Sequence, residues 1–174
     1  METIEAIMTR KSVRNFTEQN INDEQIEILL KAGMSGPSCA NTQDWAFIVI
    51  KDKVLLNKMA DANGKPAEPL RKANIGILIC GDLDRAFSGA KEYWIIDGAI
   101  AAQNITIATR GLGLGSVWLG TYPQMDRVSK QAKLLDLPDN ILPHSILALG
   151  YPEGNEFKDP KIKFDKDKVH YEKW

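Results

Sequence analysis

KEYWIIDGAIAAQNITIATRGLGLGSVWLG, Lys91–Gly120, decides how the rest of the chain is read. From about Lys91 to Arg110 the pattern is helical and free of proline, and Gly111 to Leu119 returns to strand. Trp94, Asp97, Ala101 and Asn104 recur at helical spacing and share one face. With Gly98, Ala99 and Ala102 beside them, they describe a closely packed helix with buried hydrogen bonds. Asp97 and Asn104 are therefore read as structural, ahead of the alternative that Asp97 is a general base. The glycine run invites a dinucleotide reading, but that fingerprint needs a strand, a glycine turn and then a helix. Here the helix comes first, so the site is rejected. The glycines end the helix at Gly111 and let the backbone approach closely.

Working outward, Thr3–Thr9 reads as a short helix and Arg10–Phe16 as an extended stretch. Asn22 with Gln25 three residues on has the form of a capping box, opening a helix that stops near Gly33. The polar loop Gly33–Asp44 precedes a buried strand, Trp45–Lys51, and a helix over Val54–Ala60. Strands follow at Asn74–Asp82 and His144–Tyr151, with a helix over Gln124–Leu135 between them. With no repeat or linker, residues 1–174 make one α+β domain. The charged tail, 152–174, carries Phe164, Tyr171 and Trp174, which call for a surface to lie on. That need, and too few residues to cover every face, point to a partner subunit.

Twenty-two basic residues against 23 acidic ones leave a net charge of −1, which favours neither nucleic acid nor an anionic membrane. The first residues lack the form of a signal peptide, and the apolar runs are too short to span a bilayer. Cys39 and Cys80 share no ligand spacing, and His144 and His170 stand apart. The expectation is a cytoplasmic protein with two reduced thiols and no metal site.

Two groups of residues bear on binding. Arg10, Ser12 and Arg14 point the same way along an extended strand, which suits a phosphate clamp and equally a solvated basic edge. Lys161 and Lys163 repeat that spacing in the tail. Pro37, Ser38, Asn41, Gln43 and Trp45 lie in or beside the polar loop. Such a loop can meet the polar edge of a planar ligand, although turn chemistry alone accounts for its composition. With no Ser-His-Asp set, Cys-His pair, HExxH or P-loop, no catalytic side chain is assigned. The side chains suit holding a cofactor better than doing chemistry themselves.

Taken in order, these pieces resemble the nitroreductase family of FMN proteins. The likeness rests on Arg10-x-Ser12-x-Arg14-x-Phe16, Pro37-Ser38-x-x-Asn41-x-Gln43-x-Trp45 and Trp94-x-x-Asp97-x-x-x-Ala101-x-x-Asn104, then Gly113–Gly120 and Leu149–Pro152. It departs at Asp44, where the family often has proline.

The resemblance implies an α/β sandwich with helices flanking a central mixed sheet. It also implies a homodimer built on the long helix, with the 152–174 arm packed on the partner and two tightly held FMN molecules at the interface. Arg10, Ser12 and Arg14 would hold the FMN phosphate and ribityl, with Arg14 near the N1–O2 edge. Lys161 and Lys163 would complete the phosphate site. Pro37, Ser38 and Asn41 would come from the other subunit, and the backbone at Leu119 and Gly120 would face N5–O4. NAD(P)H would be a transient donor, passing hydride by way of flavin N5 in ping-pong fashion. Acceptors would be small molecules such as nitroaromatics, quinones or enones. A specialised flavin enzyme of reductive-dehalogenase type and a non-catalytic FMN-storage protein are the alternatives. The former would need a lid, for which only residues 65–94 offer room.

Overall fold

The computed structural model describes residues 1–154, 156–157 and 164–174. Strands β1 (Trp45–Ile50), β2 (Ile75–Asp82), β3 (Gly115–Gly120) and β4 (Ile141–Gly150) form one sheet in the order β1-β2-β4-β3. Every pairing between these strands is antiparallel. Among the described residues the parallel component of the expected mixed sheet is a single bridge, Ser12 to Ser116.

Helices cover both faces, because both central strands are apolar on both sides. Ile75, Ile77 and Ile79 of β2, with Leu147 and Leu149 of β4, pack on helices α2 (Asp23–Met34) and α5 (Tyr93–Gly111). The alternate residues Leu78, Cys80, Ile146 and Ala148 face helix α3 (Lys53–Asn63) and the short helix α4 (Pro69–Lys72). Helix α6 (Met125–Leu134) closes that second layer, and helix α1 (Thr3–Thr9) packs on α5. The period-two alternation of strand side chains thus divides one sheet between two cores.

Local chemistry sets the element ends. Asn22 caps α2 through a complete capping box: its side-chain oxygen accepts from the Gln25 amide, and the Gln25 side chain accepts from the Asn22 amide. Helix α5 runs through Gly111, and the chain reverses at Gly113, whose φ of +74° favours glycine. The helix therefore ends at Gly111, where the sequence places its end. Strand β4 begins before Pro143 because the β2–β4 register shifts there: Ser145 pairs with Ile79 and Pro143 with Cys80. That bulge accommodates the proline in a central strand. It also leaves His144 beside α5, where its ring meets Trp94 edge-on. Residues 65–94 are taken up by a 3₁₀ turn, α4, β2 and a turn-rich link into α5.

Candidate functional site at two sheet edges

Beyond β3 lies the extended segment that carries Arg10, Ser12 and Arg14. Val13 is buried and donates its amide to the Ser116 carbonyl at 2.9 Å. A side chain at Gly115 would come within 2.8 Å of Val13, so glycine permits this close approach. With Val13 turned inward, Ser12 and Arg14 turn out to solvent. An Arg14 guanidinium N–H donates to the Ser12 carbonyl at 3.2 Å. Arg14 lines a cleft of about 720 Å³ together with Asn15, Lys65, Pro66 and Lys72. Arg71, on its rim, is neutralised by Asp61 and Glu68 at 2.6 and 3.1 Å. Arg10, Arg14 and Lys65 have no carboxylate at ion-pair distance among the described residues. The cleft therefore carries uncompensated positive charge.

The outer end of β3 is held firmly. The Gly120 carbonyl accepts from Asn63 at 3.1 Å and from Arg127 at 3.0 Å. The buried Thr121 hydroxyl donates to the side-chain oxygen of the same Asn63 at 3.0 Å. Leu119 faces the core, whereas Gly120 is exposed. A Cβ at Gly120 would meet nothing within 4 Å, and its φ is not positive. Neither packing nor backbone conformation within this chain requires glycine there. What glycine leaves is bare backbone that a planar molecule can approach.

The polar loop sits at the other edge of the sheet, just before β1. Three inter-strand spacings, roughly 14 Å, separate β1 from β3. Ser38 is part-buried and accepts from the Gln43 amide at 2.9 Å. Asn41 accepts from the Gln43 side chain at 3.0 Å, and Pro37 is exposed. The loop is pinned to α5 by the Cys39 amide, which lies 3.1 Å from both oxygens of Asp97. Asp97 thus has the structural role read from its helix face. One chain brings Arg14, Ser12 and Gly120 to one edge, and Pro37, Ser38 and Asn41 to the opposite edge. Lys161 and Lys163 lie outside the described residues.

Several groups have altered acidities. Burial first, and then the Asp97 charge, push the Asp44 carboxyl up to about 6. Burial pushes the Cys80 thiol up to about 12 and holds His144 below the usual imidazole range. The Cys39 thiol is also raised, by burial first and then by Asp97 and Asp44. Among the described residues no group of three His, Cys, Asp or Glu is arranged to hold a metal ion, and no helix is long and apolar enough to cross a membrane.

Asn63, Lys65 and Lys72 belong to no motif that marks them in the sequence. Asn63 closes α3 directly before Gly64, whose φ is +81°, so an Asn-Gly pair at a helix end was the available signal. Lys65 and Lys72 acquire meaning only when α4 brings them beside Arg14.

This arrangement sets a cleft lined by Arg14, Lys65 and Lys72 and the open backbone at Gly120 on one edge of an antiparallel α+β sandwich, and comparison with known proteins assigns its class. The model of the nitroreductase family matches residues 7–77. A protein of Archaeoglobus fulgidus named "Putative NADH dehydrogenase/NAD(P)H nitroreductase" is 39% identical over 99% of this chain and 99% of its own. A crystal structure with the same name, from Bacteroides thetaiotaomicron, superposes with a TM-score of 0.91 at 40% identity, covering 99% of this chain and 98% of the other. An FMN-dependent nitroreductase of Clostridium difficile superposes with a TM-score of 0.89 at 26% identity, over 98% and 99% of the two chains. The chain belongs to the nitroreductase family.

Proposed function

We propose that this protein is an NAD(P)H-dependent FMN oxidoreductase that works as a homodimer. The observation that carries the reading is the bare Gly120 backbone on the same sheet edge as the positively charged Arg14–Lys65 cleft. The residues fit FMN: cations and a hydroxyl suit its phosphate and ribityl, and exposed backbone suits its ring. When bound, FMN would supply two-electron redox chemistry between NAD(P)H and a nitroaromatic, quinone or enone.

The chain's own part is binding and orientation. Arg10, Ser12 and Arg14 would hold the phosphate and ribityl. Arg14, with Lys65, brings positive charge to the N1–O2 edge, where reduction places negative charge. Asn63 and Arg127 fix the peptide beyond Gly120, so the backbone at Leu119 and Gly120 meets the ring without rearranging. No side chain is needed as an acid or base in hydride transfer.

Pro37, Ser38 and Asn41 complete the site from the partner, since within one chain they stand at the far edge of the sheet. The exposed face of α5, with Ile95, Ile96, Ala99 and Ile100 around a groove of about 540 Å³, supports that pairing. So do Phe164, Tyr171 and Trp174, of which Trp174 is 100% exposed in a single chain, as an arm laid on the partner.

The test is an FMN titration of the wild type and Arg14→Ala. A hydrogen bond to a charged group is worth about 1.5–3 kcal/mol, so affinity should fall by roughly ten- to a hundredfold. Because Arg14 is exposed, the fold should be unaffected. Equal affinities would overturn the assignment.

A further inference from the structure

Asp44 is fully buried, and neither of its carboxyl oxygens has a hydrogen-bond partner among the described residues. Its polar neighbour is a second buried carboxyl, that of Asp97, which is 2% exposed. Two ionised carboxylates in contact away from water are strongly unfavourable, and the ordinary resolution is one shared proton. The geometry says which group carries it. Both Asp97 oxygens face the Cys39 amide at 3.1 Å, so Asp97 is the acceptor and Asp44 the donor. We propose that Asp44 is a positioning residue: held neutral, it donates a hydrogen bond to Asp97, and the pair fixes Cys39 and so the loop bearing Pro37, Ser38 and Asn41. The consequence for flavin binding rests on the function proposed above, in which that loop meets the partner's FMN.

The loop needs such an anchor. Ala40, Asn41 and Gln43 have φ of 48°, 56° and 49°, left-handed values that are unfavourable for a non-glycine residue. Its ties to the body are the Cys39–Asp97 contact and, at its end, the Asp82 amide donating to the Asp44 carbonyl at 2.6 Å.

Among the described residues the groups facing the pair offer no compensating cation. Asp82, at the end of β2, is itself an acid, with one oxygen taken by the Asp84 amide and the Asn140 side chain. Cys39 is a protonated thiol. His144, from β4, packs against Gly98 beside Asp97 and is held below the usual imidazole range by burial. Raising the pH through about 6, the value to which burial and Asp97 bring Asp44, ionises Asp44 against its carboxylate neighbour. The repulsion then loosens Cys39 and the loop.

Three readouts on the full chain test this, two of them without flavin: the infrared band of a protonated carboxyl, the hydrogen-exchange protection of the Cys39 amide corrected for intrinsic rate, and the Kd for FMN. In the wild type the band should be present at about pH 5 and lost by about pH 8. Cys39 protection should fall over the same range, and the FMN Kd, taken at each pH as a ratio to that of Asp44→Asn so that the ligand phosphate's own titration near about 6 cancels, should rise by up to about tenfold per pH unit above the midpoint. Asp44→Asn should lose the part of the band that titrates near 6 and show flat Cys39 protection, because its amide donates to Asp97 at every pH. Asp97→Asn should also be flat in protection, since the introduced side-chain amide accepts from Cys39 and donates to Asp44 at every pH. A wild type without the band at about pH 5, or an Asp44→Asn protein that titrates like the wild type, would overturn the proposal. If FMN fails to bind at any pH, the proposed function falls, while the band and the Cys39 amide still decide the fate of the pair.

Discussion

Replacing Asn63 tests whether the end of β3 is held as described. Asn63 is 1% exposed and bridges the Gly120 carbonyl and the Thr121 hydroxyl. Asn63→Ala removes both bonds and leaves the fully buried Thr121 hydroxyl without its acceptor, whereas Gly120 keeps Arg127. One stranded buried hydroxyl costs about 1–3 kcal/mol and one lost hydrogen bond about 1 kcal/mol, so the total should be about 2–4 kcal/mol. For a chain of this length that corresponds to a Tm lower by roughly 4–16 °C, compared at fixed protein concentration because the Tm of the proposed dimer would depend on it. Thr121→Val should cost about 1–2 kcal/mol, since it strands the Asn63 oxygen instead. The double variant strands neither group and should cost less than the sum by about 1–2 kcal/mol. Denaturant unfolding of all four proteins gives the coupling. Additivity within about 0.3 kcal/mol would refute the bridge, whatever the single values.

Other outcomes follow from the surface and the buried thiols and acids. Ile96 is 52% exposed in one chain, and Ile96→Asp should raise the dimer dissociation constant by at least about a hundredfold, an effect counted twice across a two-fold axis. Sedimentation velocity reads this directly, and an unshifted dimer would place the interface elsewhere. With its thiol fully buried and raised to about 12, Cys80 should resist a maleimide in the native protein, leaving Cys39 as the slower-than-free site of labelling. Mass spectrometry showing Cys80 modified first would contradict that burial. The Asp44 carboxyl is raised in the fold, so its stabilising contribution is complete below about pH 4 and lost as the pH rises through about 6. The Tm of Asp44→Asn should therefore gain on the wild type between about pH 5 and pH 8, and parallel Tm curves would count against a neutral Asp44.

Much of this architecture is legible in local sequence. The proline-free run across Tyr93–Gly111 and the Asn22–Gln25 box each encode their helix in neighbouring residues, and the structure keeps both within a few positions. The outward turn of Ser12 and Arg14 likewise follows from strand alternation once Val13 is seen to be the apolar member. Other features depend on residues remote in sequence. Pro143 argues locally against a strand, and only its bulge opposite Ile79 and Cys80 admits it. An aspartate in a polar turn reads as solvated, and Asp44 is buried because α5 and the end of β2 close over it. Lys65 and Lys72 join the binding edge through the turn of α4, which has no periodic pattern of its own. The opposite placement of the two halves of the site is a property of strand order, which no single motif encodes.

The most direct test of the central claim is the anaerobic absorbance spectrum of the purified protein with FMN, before and after NADH or NADPH. Oxidised flavin absorbs near about 450 nm. A bound-flavin band that bleaches on adding the nicotinamide is the predicted result, and the nucleotide that bleaches it faster is the donor. Bound flavin that stays oxidised with both nucleotides would contradict an oxidoreductase role, and failure to bind FMN would remove the site itself.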